Sequence, residues 1–271
     1  MANKGKYYES QFEEATIELL REAHWQYTFG DDIHRKYTDP LIEEDLRNFL
    51  AVQYKDKNLT TSEIDGIVAN LRNIGGQNDY YALRNAFLLY RDGYDFAYSD
   101  GRDNPFRLEY IDFKYPNHNV FRCVNQFVME QGRENRRPDI LLFINGIPVC
   151  IIELKNPTKQ NATIRDAHTQ ICTRYMRDIP ALLKYCALAV ISDGAKNALG
   201  TTYTPFEFFY EWKKIENEDK AGKGLDTLRT LIRGALSLER ILEILRDYVY
   251  FPDPTKEDDL SLIHISEPTR L

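Results

Sequence analysis

The chain has 271 residues, 43% hydrophobic and 28% charged, with a formal net charge of −7. That length fits one large domain, or one domain with a small appendage, and it allows a substantial core. No apolar run approaches the roughly 18 residues of a membrane helix, and Met1-Ala2-Asn3-Lys4-Gly5 has no apolar leader core. Membrane insertion and secretion are therefore not expected, and a cytoplasmic location is.

Ser10 to His24 reads as a helix with Phe12, Ala15, Leu19 and Ala23 along one face. Asp39-Pro40 predicts the N-cap and first position of a second helix running to Tyr54. Thr60 and Glu63 have capping-box spacing and open a third helix carrying Ile64, Ile67, Val68, Leu71 and Ile74, stopped by Gly75-Gly76. Asn78 or Asp79 caps a fourth, which ends at Arg91-Asp92-Gly93. Strands are predicted at Asp95–Tyr98, Arg107–Phe113, Val120–Val128, Asp139–Ile144, Val149–Lys155 and Tyr185–Ile191. A helix separates the last two, over Ile164–Arg177, and the aromatic stretch Tyr203–Ile215 is a candidate edge strand. A polar stretch at 216–224 precedes two amphipathic helices, Leu225–Leu236 and Leu238–Phe251. The order predicts an α/β fold, a mixed β-sheet flanked by helices.

The chemistry concentrates on one hairpin. Ile140–Ile144 and Val149–Ile152 are continuous apolar runs, as in strands buried on both faces, and Asn145-Gly146 between them is a hairpin turn signal. Asp139 precedes the first run, while Glu153 and Lys155 end the second and share one face. Two carboxylates brought together repel, and a hard cation such as Mg²⁺ removes the conflict. A strict two-residue loop would pair Asp139 with Ile152 and turn it away from Glu153. A three-residue loop or a bulge shifts the register by one and brings the two acids to one face, so one of these irregularities is expected. The alternative reading of these residues is a structural ion pair at a strand end.

Asp139 with Glu153-Leu154-Lys155 resembles the PD-(D/E)xK nuclease signature. Asn125-Gln126-Phe127, Arg136-Arg137-Pro138-Asp139-Ile140, Asn145-Gly146-Ile147-Pro148, Glu153-Leu154-Lys155-Asn156-Pro157, Arg177-Asp178-Ile179-Pro180 and Ile191-Ser192-Asp193-Gly194 follow in order. Together, over residues 7–252, they resemble the N-terminal nuclease region of the type I restriction enzyme R (restriction) subunit. The resemblance implies a restriction-endonuclease-like core: residues 1–215 as the endonuclease domain, with a helical part at about 10–92 and a catalytic sheet at about 94–215. Residues 216–259 are then linker helices toward a translocase motor. It implies a Mg²⁺-dependent endonuclease acting on double-stranded DNA, with Asp139 and Glu153 as metal ligands and Lys155 stabilising charge on the phosphate. The implied partners are the methylation and specificity subunits. ATP is expected only for a full-length protein, since no phosphate-loop motif occurs here. The rival readings are a stand-alone or repair-type nuclease of the same signature, and a docking domain without catalysis.

Further candidates follow from the same resemblance. Glu13 is either an additional acid on the first helix or the closing member of a Ser10–Glu13 capping box; Glu14 is expected at the surface. Gln170 and Tyr175 resemble a Gln-x-x-x-Tyr motif lengthened by one residue. On an α-helix Tyr175 is then turned away from Gln170, and Arg174 becomes the better phosphate contact. Arg133, Arg136 and Arg137 form a basic cluster beside the site, needed because the net charge gives no general attraction for DNA. Asn156 and Lys159 are weaker phosphate candidates, and the aromatics at 206–212 are expected to pack rather than stack on bases. Cys123, Cys150, Cys172 and Cys186 have no metal-ligand spacing and are expected as reduced thiols; the histidines have none either. Residues 260–271 resemble a translated sequencing adapter and are set aside, with further native chain expected beyond Asp259.

Overall fold

The computed structural model describes residues 2–155, 163–215, 224–253 and 255, with side chains from Ser10 onward. Asn156, Lys159, most of the polar stretch after 215 and the adapter-like tail lie outside the described residues. The first elements are α1 (Ala2–Glu22), β1 (Gln26–Phe29), α2 (Glu43–Gln53), α3 (Thr61–Asn73) and α4 (Asp79–Asp92). α3 opens on the expected capping box: the Thr60 hydroxyl accepts from the Glu63 N–H, and the Glu63 carboxylate accepts from the Thr60 N–H at 2.8 Å. Asn78 caps α4, and Gly93 ends it at φ 68°. α2 starts three residues later than Asp39-Pro40 predicts. Leu41 and Ile42 are buried, and the Ile42 N–H donates to the Gly146 carbonyl at 2.9 Å, so a tertiary contact takes the residues of the expected first turn.

β2 (Tyr94–Phe96) and β3 (Phe106–Leu108) form a separate two-stranded sheet, shorter than predicted. β4 (Phe121–Asn125) ends before Gln126, whose φ of +55° breaks the strand expected to continue to Val128. β5 (Met129–Gln131) and β6 (Glu134–Arg136) make a small hairpin, followed by β7 (Ile140–Ile144) and β8 (Ile147–Leu154). Then come α5 (Ile164–Thr169), a π-helical turn at Gln170–Tyr175, α6 (Met176–Asp178) and α7 (Pro180–Leu183). β9 (Leu188–Ser192) and β10 (Asn197–Thr201) close the main sheet, whose order is β1-β4-β7-β8-β9-β10. Two of its neighbours are parallel, β1 with β4 and β8 with β9; the others are antiparallel. The edge strand is thus β10, not Tyr203–Ile215, which contributes one isolated bridge, Leu199 with Tyr210. Sequence reading also missed the opposite edge, β1.

α8 (Leu225–Ala235) and α9 (Leu238–Glu243), with a π turn at Ile244–Tyr248, pack into the same core as α1 to α4. The Trp25 indole N–H donates to the Leu236 carbonyl at 2.7 Å, joining this C-terminal pair to the residues after α1. Ile140, Leu142, Cys150 and Ile152 point into that core. Leu141, Phe143 and Ile151 point into a second one on the other face, completed by Ala167, Ile171, Tyr175 and Leu182. Helices therefore cover both faces of a mixed sheet, which explains the unbroken apolar runs of β7 and β8. Phe206 and Phe209 pack on the second core and against the His168 ring. All four cysteines are free, and burial pushes the Cys123 thiol up to about 12.

The central hairpin turns at Asn145 (φ 50°) and Gly146 (φ 76°), the paired positive angles that a two-residue turn of this kind requires. Ile144 pairs with Ile147 and Phe143 with Pro148, but Leu142 pairs with Cys150. Of the two irregularities expected, the loop keeps two residues and the bulge is present, with Val149 as the extra residue. Pro148 gives the reason: it has no N–H to donate to the ladder, so a buried strand accommodates it at an irregularity. Beyond the bulge Ile140 pairs with Ile152, and the same register sets Asp139 opposite Glu153.

A candidate active site at the end of the sheet

Asp139, Glu153 and Lys155 lie where β7 begins and β8 ends. By strand alternation they continue the row of Leu141 and Ile151, so they border the second core. Glu153 is 1% exposed. Its carboxyl is pushed up to about 8, chiefly by burial and then by the neighbouring Asp139 charge, against the opposing pull of Lys155 and Tyr175. Asp139 is half-buried and accepts from the Leu154 N–H at 2.7 Å, which ties it to β8 across the strand pair.

A closed ring of hydrogen bonds surrounds Glu153. Lys155 Nζ donates to Glu153 Oε1 and to Gln170 Oε1, both at 2.7 Å. Gln170 Nε2 donates to the Tyr175 hydroxyl at 2.7 Å, and that hydroxyl donates to Glu153 Oε2 at 3.2 Å. The Gln170 carbonyl oxygen gives the ammonium a second acceptor besides Glu153, and the Gln170 NH2 and the Tyr175 hydroxyl close the ring back to the same carboxyl group. Tyr175 is thus not turned away from Gln170, contrary to the α-helical expectation. The π turn adds a residue to one turn, and positions five apart then share a face. The surplus residue in the sequence and the irregular turn in the helix compensate each other. Arg174 is exposed on the outer side of that turn.

Two clefts meet at this end of the sheet. One, of about 390 Å³, is lined by Ser10, Glu13, Asn125, Gln126, Arg137 and Asp139 among others. The second, about 340 Å³, is lined by Arg136, Arg137, Gln170, Arg174, Tyr175 and Arg177 among others. Arg137 borders both. Arg136 is committed elsewhere: its Nε donates to Asp178 at 2.7 Å, and Arg177 holds the same carboxylate at 2.6 Å. Arg177 first, and Arg136 after it, keep the Asp178 carboxyl below its ordinary range. Arg137, Arg174 and Arg177 are all exposed on this surface, and of these Arg177 is paired with Asp178. Arg133 sits in the β5–β6 turn, outside both cleft linings.

Glu13 does not close a capping box, because α1 begins at Ala2 and Ser10 is inside the helix. Its carboxylate instead accepts from Asn125 Nδ2 at 2.7 Å and from Gln126 Nε2 at 2.9 and 3.0 Å. The sequence holds no local signal for this pairing, which joins residues more than a hundred positions apart. Glu14 is exposed, as expected.

The acidic donors at this site are oxygens, the ligand type of a hard divalent cation. Among the described residues no three of His, Cys, Asp and Glu gather as a metal cluster. A pair of carboxylates is nevertheless the usual protein share of a Mg²⁺ site, where waters and substrate phosphates complete the shell. The mutual repulsion registered at Glu153 is the kind of conflict such an ion relieves. Asp139 and Glu153 therefore fit the ion.

Residues 6–208 match the family model described as "Type I restriction enzyme R protein N terminus". The chain is 29% identical over 259 residues to the Type I restriction enzyme HindI endonuclease subunit of Haemophilus influenzae, covering 90% of this chain and 24% of that protein. It is 29% identical over 270 residues to a putative type I restriction enzyme endonuclease subunit, MjaIXP, of Methanocaldococcus jannaschii, covering 88% and 25%. The EcoprrI endonuclease subunit of Escherichia coli is 31% identical over 162 residues, 56% of this chain and 45% of that protein. The chain spans about a quarter of the length of the first two relatives. With three quarters of the residues inside the family model and a mixed sheet flanked by helices, the chain belongs to the type I restriction enzyme R protein N-terminus family.

Proposed function

We propose that this chain is the DNA-cleaving region of a type I restriction R subunit, built on a PD-(D/E)xK core, and that it hydrolyses phosphodiester bonds at Asp139, Glu153 and Lys155. The observation that carries the reading is the Pro148-linked bulge, which sets Asp139 opposite Glu153 while Lys155 Nζ lies 2.7 Å from the Glu153 carboxylate. Asp139 and Glu153 hold Mg²⁺. When bound, the ion supplies Lewis acidity that polarises the phosphodiester and acidifies water. Lys155 places an ammonium where negative charge develops on the phosphate, and Gln170 and Tyr175 keep that ammonium and the Glu153 carboxylate in fixed relation. Preorganising these groups before DNA arrives removes reorganisation from the reaction step.

Arg137 and Arg174 contact phosphates flanking the scissile one, across the clefts that Arg137 joins. Affinity beyond that local contact comes from the methylation and specificity subunits and from an ATP-driven motor encoded after this region, acting on unmodified double-stranded DNA. A chain of net charge −7 has little sequence-independent attraction of its own. Accordingly, Arg174→Ala should weaken DNA binding across sequences and reduce the slope of log affinity against log salt by about 1. An unchanged slope would remove Arg174 from the interface.

The test of the whole reading is nicking of supercoiled plasmid with Mg²⁺, by the chain and by the assembled complex, beside Asp139→Ala. The expected result is cleavage that EDTA stops and that Asp139→Ala lowers by at least about 100-fold. Cleavage by the complex that survives Asp139→Ala would overturn the assignment.

A further inference from the structure

We infer that Gln126 is a positioning residue of this site, acting through Glu13. The inference rests on the metal-dependent reading above and adds to it a residue whose role lies in how charge is held in the cleft. Glu13 lines the same cleft as Asp139, although it comes from α1 on the opposite layer of the fold. Gln126 reaches it because its backbone is left-handed, at φ +55°. An L-residue other than glycine, asparagine or aspartate adopts that region at a penalty, and such residues cluster where a side chain must be aimed. Here the aim is explicit: one amide spans both oxygens of Glu13, at 2.9 and 3.0 Å. Asn125 adds a donor at 2.7 Å and is itself fixed by the Tyr27 hydroxyl, which donates to Asn125 Oδ1 at 3.0 Å.

The donors are amides, and this decides the function. A lysine or arginine in their place would cancel the charge of Glu13. Two amides orient the carboxylate and leave its negative charge in place beside Asp139, with Arg137 and Glu14 as the other charged residues lining the cleft. Glu13 then adds to the field that draws a divalent cation to the two acids. Close packing keeps the device rigid: a Cβ on Gly30 would lie 2.6 Å from the Gln126 carbonyl oxygen and 2.8 Å from that of Asn125, so the backbone just after β1 presses directly on this turn.

The test measures Mn²⁺ binding to the chain by loss of the free-ion electron paramagnetic resonance signal, together with thermal melting. The variants are Gln126→Gly, Glu13→Gln, their double mutant and Asp139→Asn. Gln126→Gly removes the amide and suits the left-handed backbone, so its melting temperature should hold or rise. Its Mn²⁺ affinity should fall about tenfold, at the lower end of what orienting partners contribute to metal sites. Glu13→Gln should lose a similar factor, and the double mutant should lose no more than Glu13→Gln alone, since both act through one carboxylate. If Gln126→Gly melts lower and binds Mn²⁺ like the wild type, the clamp is a structural staple and the inference fails alone. If Asp139→Asn also leaves binding intact, or the wild type binds no Mn²⁺, the metal site falls and the inference with it.

Discussion

Lys155→Met is expected to lower Mg²⁺-dependent nicking by at least about 100-fold, the scale for losing one preorganised group that stabilises developing charge. The same substitution should also weaken the fold. Lys155 Nζ is the cationic partner of a carboxylate that is 1% exposed, and it bonds both Glu153 and Gln170. Removing one partner of a buried pair strands the other, a loss of about 3 kcal/mol in urea unfolding. Glu153 can answer by taking up a proton, which its raised affinity for protons already favours. Glu153→Gln combined with Lys155→Met should therefore recover much of the stability, because no charge is left buried, but none of the cleavage. This separation matters, because a purely structural ion pair predicts the opposite for activity. A double mutant that regains stability and also cleaves DNA would return the pair to a structural role.

Gly146→Ala should be among the most damaging small substitutions in the chain. Gly146 has φ 76°, and a Cβ there would sit 2.0 Å from the Ile42 carbonyl oxygen. Left-handed strain contributes about 1–2 kcal/mol, and forcing the backbone of α2 away adds about 1–3 kcal/mol, so a loss of about 3 kcal/mol is expected in chemical denaturation. The consequence reaches the site. The turn is fixed by Asn145, whose side chain accepts from the Val120 N–H at 2.8 Å and donates to the Tyr110 carbonyl and to Asn119. This turn starts the register that the bulge then shifts. Gly146→Ala should accordingly depress cleavage more than its stability loss explains when both are measured at a temperature where the variant is folded. A variant as stable as the wild type would show that α2 yields easily and that the turn does not govern the register.

The irregularities that shape the site were legible to different degrees. An irregularity in the hairpin was legible because the two acids reach one face only if the register slips, but its place at Pro148, which has no ladder N–H, emerged from the strand pairing. The π turn was not legible. The extra residue between Gln170 and Tyr175 was visible, but an α-helical wheel separates the two, and the partners that both side chains share, Lys155 and Glu153 at the end of β8, are remote from that helix in sequence. The late start of α2 has a similar origin, since Ile42 is claimed by Gly146 from the hairpin. Glu13 illustrates the opposite error, a local capping pattern that is inactive because the helix continues upstream of it.

Legible along the chain were the alternation of helices and buried strands, the hairpin at Asn145-Gly146, the capping box at Thr60 and the family to which the chain belongs, whereas Asn78 rather than Asp79 as the cap of α4 was not. These depend on periodicity, turn chemistry and ordered motifs, all of which are local along the chain. Long-range contacts, by contrast, set which strands share a sheet, which arginines remain exposed, and how Glu13, Gln126, Gln170 and Tyr175 are turned. Those outcomes depend on hydrogen bonds and packing between residues far apart in sequence, where burial makes an unpaired polar group costly and so overrides the local preference.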